Sequence, residues 1–352
     1  MAAYVFYILG TYLVLYLSRT REYYADRFAA EITGNPNALS RALIKIAYGI
    51  LEEGERTEKP SKLIQGTRAL GIYDAKAATT TGTAYRIASE PEKIGRVFLW
   101  DMFNPWGWWM ELNSTHPLTG KRVRALSTYA EQLGLDTEFD MARVVREGKQ
   151  LSKKKLYGSF VVDMVLYAAE AVGFFLGLVI GISLFMLAPY AWYLIISLPL
   201  FGFGIALAIK TLVMFPNFKN APDLDVLTLM SDPYASPLRG RPAKLNGQII
   251  GRANPGNKFG ANLQMKDATG MIFLHYASRF GPLGNILFGW LQANDLLEKE
   301  VEVVGWFRRG IAPWLDLMKL HTDSGSRVTS HHRFWSFFVI GWGNCLGFYR
   351  HS

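Results

Sequence analysis

Two acidic residues, Glu22 and Asp26, follow an apolar run of seventeen residues at the start of the sequence. In an α-helix, positions four apart lie on one face, so both carboxylates would point the same way. One carboxylate can then bind a metal ion while the other orients a neighbouring ligand. Carboxylates at this spacing also occur on ordinary solvated helix faces, and the pair alone does not distinguish the two cases.

A second stretch, "NSTHPLTGKR", contains His116 and Arg122. Pro117 favours the first turn of a helix, which predicts that a helix begins there with His116 at its mouth. An imidazole in that position can donate a hydrogen bond to a developing oxyanion. An arginine two turns later can pair with a carboxylate such as Asp26 through two parallel hydrogen bonds. The alternative is a His-Pro turn that has no catalytic function.

Together the two stretches resemble the integral-membrane zinc metallopeptidases of the HtpX type, which are relatives of the CAAX prenyl protease. That family follows a membrane helix with S-R-x-x-E-x-x-A-D and later carries S-T-H-P-x-T-x-x-R. The resemblance covers about residues 1–135 and does not extend to the rest of the chain. The matching positions are Ser18, Arg19, Glu22, Ala25 and Asp26 in the first stretch and Ser114, Thr115, His116, Pro117, Thr119 and Arg122 in the second.

The resemblance implies a zinc site in which Glu22 is the third metal ligand and Asp26 orients a ligand histidine. It also implies that His116 stabilises the tetrahedral intermediate and that Arg122 steadies the acidic helix. Bound Zn²⁺ would lower the pKa of a water molecule and polarise the scissile carbonyl. By the same resemblance, the substrates would be damaged or misassembled membrane proteins.

The sequence departs from the family in its histidines. The family takes the other two zinc ligands and the general base from an H-E-x-x-H helix upstream of the Glu motif. None of the six histidines here precedes Glu22, and no two form a His-x-x-x-His pair. One protein ligand cannot hold zinc tightly, so this chain alone is expected to be inactive. Either it is the C-terminal portion of a longer enzyme, or it is a degenerate homologue.

Composition and charge favour a membrane protein. Half of the residues are hydrophobic and the net charge is +9, which fits basic loops on the cytoplasmic side of membrane helices as well as nucleic-acid binding. Residues 1–17 are predicted to form a transmembrane helix, either whole or truncated at its start, with its C-terminal end on the cytoplasmic side because Arg19 and Arg21 follow. Residues 18–150 then form the C-terminal part of the metallopeptidase domain. The lone Cys345 excludes an intrachain disulfide and a Cys-based zinc finger.

Residues 157–215 contain two apolar tracts, each long enough to cross a bilayer, and predict a transmembrane hairpin. Lysines at both ends, including Lys153 and Lys219, place both ends on the cytoplasmic side. Glu170 lies in the first tract and is either functional or simply hydrated near the headgroups. Small residues every four positions predict close helix packing. They are Ala169, Gly173, Gly177 and Gly181, with Gly202 and Ala206 on the second helix.

Residues 238–322 read as short strands separated by turns, which predicts a small barrel most like an OB-fold. Aromatic and basic residues near its end could bind single-stranded nucleic acid if they were exposed, or could pack in its core. They are Trp306, Phe307, Trp314, Arg308 and Arg309, of which the two arginines are predicted to form a turn beside anionic lipid. A module that recruits protein partners is the other interpretation.

The overall prediction is an α+β membrane protein with a helical metallopeptidase portion, a transmembrane hairpin and an OB-like β-barrel. It would be a multi-pass protein of the cell membrane with the site and the β module on the cytoplasmic side. Membrane lipid and protein or peptide substrates are the expected partners, and nucleic acid is not. The apolar segment 333–349 is left open between an interfacial helix, a short span and packing against the hairpin. The alternative function is a catalytically inactive scaffold, or a partner-recruiting protein that acts through the OB-like domain.

Overall fold

The computed structural model describes residues 2–48, 91–253 and 257–336 of the chain. The apolar segment predicted at 333–349 lies outside these ranges from residue 337 onward.

The first helix, α1 (Ala2–Thr33), is continuous over 32 residues. The predicted membrane helix therefore runs without a break into the helix that carries Glu22 and Asp26. At about 1.5 Å per residue, α1 is roughly 48 Å long, so its apolar half and its acidic half lie at different levels along the helix axis. The apolar side chains of the first half are exposed. Gly34 follows with a φ of 62°, a left-handed conformation that ends the helix.

Five further helices lie in the described part of the N-terminal portion. Asparagines cap two of them, since the side chain of Asn35 accepts a hydrogen bond from the Ala38 amide and that of Asn104 accepts one from the Trp106 amide. These helices are α2 (Pro36–Tyr48), α3 (Pro91–Phe103), α4 (Pro105–Leu112), α5 (Thr119–Gln132) and α6 (Met141–Gln150).

The hairpin consists of α7 (Lys153–Leu187), a 3-10 turn and α8 (Leu194–Met214). Among the described residues, these two helices are long and apolar enough to cross a membrane. At roughly 52 Å, α7 exceeds the apolar core of a bilayer, which is about 30 Å thick. Its first half lies beside α4, where Asp163 is fully buried. Farther along, Glu170 is paired with Lys210 of α8 at 2.7 Å and is therefore not simply hydrated.

The predicted small-residue stripe packs α7 directly against α8. A Cβ atom added at Gly173 would overlap the carbonyl oxygen of Gly202, and one at Gly177 would overlap that of Leu198. A Cβ at Gly181 would lie 2.6 Å from the carbonyl oxygen of Leu194. The two backbones touch along this line, as small residues permit in helix pairs.

Replacing Gly177 with leucine is expected to separate the hairpin helices and to destabilise the protein by roughly 1–3 kcal/mol, because the side chain has no space beside the α8 backbone. The matched control is Gly204→Leu, since nothing lies within 4 Å of a Cβ at that position. Thermal unfolding of both variants in detergent tests the difference. Equal melting temperatures for the two variants would contradict the packing argument.

Six strands follow a short helix, α9 (Val226–Met230). Their order is β3-β2-β1-β4-β5-β6, and a parallel pairing of β3 with β5 closes the first five into a barrel. In the predicted turn between β2 and β3, the Asp267 carboxylate accepts hydrogen bonds from the amides of Thr269 and Gly270. The strands are β1 (Arg241–Arg252), β2 (Leu263–Lys266), β3 (Met271–His275), β4 (Glu300–Arg308), β5 (Trp314–Thr322) and β6 (Arg327–Thr329).

Two helices adjoin the barrel. The first, α10 (Gly281–Leu291), lies between β3 and β4 and was not predicted. Three glycines interrupt the helical spacing of its apolar residues, and the sequences on either side show the alternating pattern of strands. A short helix, α11 (His332–Trp335), follows β6.

The helical portion and the barrel share one hydrophobic core. At their junction the Trp100 indole donates a hydrogen bond to the carbonyl oxygen of Ala235 at 2.9 Å. Arg309 is fully buried and donates to the Asp101 carboxylate at 3.2 Å. The prediction of a lipid-facing turn at Arg308 and Arg309 is therefore wrong, because each pairs with a buried aspartate.

The predicted aromatic pair in β4 lies inside the protein. Trp306 and Phe307 are both buried, and the Trp306 indole donates to the carbonyl oxygen of Pro216, just beyond α8. Aromatic rings that stack on nucleic-acid bases must be exposed, so these two residues do not form such a platform.

Candidate active site at the first helix

Arg122 joins α5 to the acidic face of α1. Its Nε and Nη2 atoms donate to the two oxygens of Asp26 at 2.7 and 2.6 Å, the predicted bidentate geometry. Its Nη1 atom lies 2.9 Å from Oε2 of Glu22. Burial opposes the charged form of Arg122, but Asp26 and Glu22 outweigh it and raise the pKa of the guanidinium above its ordinary value. The arginine therefore stays charged and holds both carboxylates in place.

His116 contacts the remaining oxygen of Glu22. Its Nδ1 atom lies 2.9 Å from Oε1 of that carboxylate. An ionised carboxylate only accepts hydrogen bonds, so Nδ1 carries the proton whether the ring is neutral or charged. The side chain of His116 is 60% exposed, which leaves Nε2 accessible from solvent. The structure thus brings together all four predicted site residues.

The loop that carries His116 is held by Arg19. Its Nη1 atom donates to the carbonyl oxygens of Glu111 and Ser114, both at 2.8 Å. Cations are favoured beside the carbonyls at the end of a helix, and Glu111 lies in the last turn of α4 while Ser114 lies just beyond it. Arg19 belongs to the sequence motif without an assigned role, and the structure shows that it positions the loop.

The predicted start of the helix after His116 is wrong. Helix α5 begins at Thr119 with Leu118 as its N-cap residue, so His116 and Pro117 lie in the preceding loop. The Ser114 hydroxyl accepts a hydrogen bond from the His116 amide instead of capping the helix. The imidazole is therefore oriented by the loop and by Glu22, and not by the helix terminus.

Tyr23 and Glu111 lie close to this cluster and were not predicted. Burial, followed by the charge of Glu111, raises the pKa of Tyr23 to about 12. The phenol consequently remains protonated at neutral pH. Glu111 is itself paired with Lys121 of α5. The sequence shows the spacing of the motif residues, but no motif or spacing indicates that Tyr23 and Glu111 lie near them.

A cleft of about 670 Å³ lies between α1 and α5, beside the cluster. Asp26 lies at its edge, while Glu22 and His116 are not among its lining residues. Basic and aromatic side chains form nearly half of its wall, namely Tyr23, Tyr24, Arg27, Lys121, Arg124 and Tyr129.

The described residues fit a zinc ion only in part. Catalytic zinc sites normally use three protein ligands. Within residues 2–48, 91–253 and 257–336, no group of three or more His, Cys, Asp or Glu side chains is arranged to hold a metal. Glu22 is available as one ligand, but its oxygens are already engaged by His116 and Arg122. These residues therefore do not complete a zinc site.

Comparison with known proteins gives a family match for the segment that contains this cluster. Residues 1–130 match the model of peptidase family M48. The first third of the chain is HtpX-like. The predicted resemblance to HtpX-type metallopeptidases is thus confirmed, while the roles of the individual site residues remain predictions.

Curated relatives match this chain over about a third of its length. A protease HtpX homologue of Aquifex aeolicus is 32% identical over 127 residues, which is 36% of this chain and 31% of the relative. One of Aeropyrum pernix is 34% identical over 128 residues, or 35% of this chain and 36% of the relative. The chain therefore spans about a third of the length of these relatives. No solved structure matches the chain.

Proposed function

We propose that this chain contributes part of the active site of an HtpX-type, zinc-dependent membrane endopeptidase. In this proposal Glu22 is one zinc ligand, Asp26 and Arg122 fix the position of the acidic helix, and His116 stabilises the reacting carbonyl oxygen. The observation that carries the proposal is the joining of two distant motifs: His116 and Arg122 both contact Glu22 at 2.9 Å. The two-histidine helix must come from outside the 352 residues, since their histidines do not supply it.

Bound zinc would supply an activated water molecule and polarise the scissile carbonyl. The chain's own residues would organise the surroundings. Arg122 pairs with both Glu22 and Asp26 and would hold Glu22 at the position where a metal ligand is needed. Glu22 would help to hold the zinc ion, and His116, whose Nδ1 atom lies 2.9 Å from Oε1 of Glu22, would donate a hydrogen bond to a substrate oxygen.

The membrane placement follows from the charge pattern. Basic residues after the apolar half of α1 and at both ends of the hairpin support a cytoplasmic location for the site and the barrel. Substrates that reach a site at this level would be membrane proteins, and we propose that they are damaged or misassembled ones, as the resemblance implies.

A catalytically inactive scaffold is the second candidate. The complete engagement of Glu22 by His116 and Arg122 favours it, because a satisfied carboxylate needs no metal. In this case the barrel would have the active role. Its closure by β3–β5 pairing and the helix between β3 and β4 support an OB-like fold. Because Trp306 and Phe307 are buried, recruitment of partners would use another surface of the barrel.

Adding an H-E-x-x-H helix to the chain distinguishes the peptidase function from the scaffold function. A fusion that places an H-E-x-x-H helix ahead of α1 is expected to retain one zinc ion per chain after dialysis and to cleave an unfolded membrane protein. Glu22→Ala in this fusion should abolish both properties, because loss of one of three ligands opens the site. Zinc content by atomic emission and product formation on gels are the two measurements.

Glu31→Ala is the matched control, since Glu31 is exposed on the same helix. It should leave zinc content and cleavage unchanged. Full zinc retention by the Glu22→Ala fusion would refute the ligand assignment. A folded fusion that binds no zinc would favour the scaffold.

A further inference from the structure

Helix α10 presents its large apolar residues to the outside of the barrel. Leu283 is 74% exposed, Leu287 is 51% exposed and Trp290 is 59% exposed. Ile286 and Leu291 are exposed on the same face, at the spacing of one helical stripe. No charged residue occurs anywhere in this helix. An exposed apolar stripe of this kind on a folded barrel marks a contact surface.

The inner face of α10 consists of glycines and one large residue, the buried Phe288. A Cβ atom added at Gly284 would overlap the Ser278 hydroxyl, and one at Gly289 would overlap the carbonyl oxygen of Phe259. The helix therefore fits tightly against the barrel through its glycines. An amphipathic helix that served only the core would have the reverse arrangement, with its bulky residues inside.

Two phenylalanines extend the apolar stripe. Phe280, directly before α10, is 78% exposed, and Phe259 is 55% exposed. The loop of Phe259 is fixed by Arg252, which donates to the carbonyl oxygens of Lys258 and Gly260 at 2.9 and 2.8 Å. The exposure of Phe259 thus belongs to a loop held by several hydrogen bonds. The α10 patch consists of Phe259, Phe280, Leu283, Ile286, Leu287, Trp290 and Leu291.

The beginning of α10 adjoins the end of the membrane hairpin. The Trp335 indole packs against Gly281 and donates to the carbonyl oxygen of Ser278. The next residue, Ser336, donates through its hydroxyl to the Thr211 hydroxyl at 3.2 Å. Thr211 lies in the last turn of α8. Trp335, Ser336 and Thr211 therefore connect the α10 patch to the C-terminal end of α8.

The charges beside the patch match a lipid surface. Exposed Lys258 precedes Phe259, and exposed Arg279 precedes Phe280. Along the chain, the acidic residue nearest to α10 is Asp295, beyond its C-terminal end. Apolar and aromatic residues flanked by cations are typical of segments that lie in the headgroup region of a membrane containing anionic lipid.

We propose that the α10 patch inserts into the cytoplasmic leaflet of the membrane that the hairpin crosses. The partner is the lipid bilayer itself, with the apolar stripe at the acyl boundary and Lys258 and Arg279 among the headgroups. Because the barrel shares a core with the HtpX-like segment, this contact sets the height of Glu22 and His116 above the bilayer.

The test uses the full chain with Cys345→Ser and a single new cysteine, reconstituted into nanodiscs that contain anionic lipid. An environment-sensitive fluorophore at Leu287→Cys is expected to shift to shorter wavelength and to be quenched by lipids spin-labelled near the headgroup. Leu291→Cys provides a second position on the same face. Asp323→Cys, in the exposed turn between β5 and β6, is the control and should be quenched by aqueous iodide instead.

Quenching of positions 287 and 291 by iodide to the same extent as position 323 would overturn the proposal. Shielding of both positions from iodide and from lipid would also overturn it, since the patch would then be covered by protein. Cross-linking from position 287 would show whether the cover is residues 337–349 or a second copy of the chain. Substitution at these exposed positions removes no core contact, so the variants should fold.

Discussion

Replacing Arg309 with methionine is expected to lower the free energy of unfolding by about 3–5 kcal/mol at neutral pH, because it leaves the Asp101 carboxylate buried without its cation. Arg309 also lies over the rings of Trp100 and Tyr48 at 4.9 and 5.3 Å, and these contacts would be lost as well. Denaturant unfolding of the purified protein in detergent measures the change. Arg327→Met, at an exposed position in β6, is the matched control and should be nearly neutral.

The pH dependence of the free energy of unfolding shows whether the buried charge of Asp101 causes the instability of Arg309→Met. Burial raises the pKa of Asp101 above its ordinary 3.8, although Arg309 and the hydrogen bonds from Tyr48 and Gly120 oppose the rise. A carboxyl group with a higher pKa in the folded state favours folding when protonated, and this stability is lost as the pH rises through the folded pKa. Without Arg309 the pKa rises further. The difference in free energy of unfolding between Arg309→Met and the parent protein should therefore be largest at neutral pH. It should shrink as the pH is lowered towards 3.8.

A second substitution separates charge from packing. Arg309→Met combined with Asp101→Asn removes both charges and should recover much of the lost stability, because a neutral pair needs no compensation. A double variant as unstable as Arg309→Met alone, with no change in deficit across the pH range, would show that lost packing around the guanidinium dominates.

Replacing Asp163 with alanine is expected to cost about 3 kcal/mol or more, because this fully buried side chain joins three parts of the protein. It accepts hydrogen bonds from the Trp106 indole of α4 at 2.8 Å and from the Ser236 hydroxyl before the barrel at 2.7 Å. It also pairs with Arg239 at 2.6 Å. Arg239 is partly exposed and can rehydrate, but the buried Trp106 and Ser236 donors would be left without this acceptor.

The Asp163 variant should also unfold less cooperatively, since α7 would no longer tie the helical portion to the barrel. Unfolding followed separately by tryptophan fluorescence and by limited proteolysis of the barrel would show two transitions. Asp323→Ala, at an exposed turn, serves as the control. A single transition with an unchanged midpoint in the Asp163 variant would contradict a connecting role for this carboxylate.

Much of the architecture could be predicted from local pattern. The two apolar tracts and the glycines at 173, 177 and 181 indicated a closely packed hairpin, and α7 and α8 pack in that way. Alternating strands with turn residues such as those at 267–270 indicated a small barrel. The motif residues Glu22 and His116 were found from residue type and spacing, and the resemblance assigned them to one site.

The helix boundary at His116 and the surroundings of Arg309 could not be predicted. A proline after His116 is typical of a helix start. In the structure, Arg19 donates hydrogen bonds to the carbonyl oxygens of Glu111 and Ser114, and the helix begins only at Thr119. Two adjacent arginines in a strand sequence suggest an exposed turn. Their burial depends on aspartates that are distant in the chain or on a neighbouring strand, and a local pattern does not show such partners.

The sequence by itself determined which segments are apolar, which positions are small enough for backbones to touch, and which residue types could form a peptidase site. These properties depend on neighbours along the chain. Only the tertiary structure decided that Arg309 and Asp163 are buried and paired, that both oxygens of Glu22 are engaged, and that α10 turns its leucines outward. The physical reason is that burial and ion pairing depend on groups far apart in the chain, whose proximity is set by packing of the shared core.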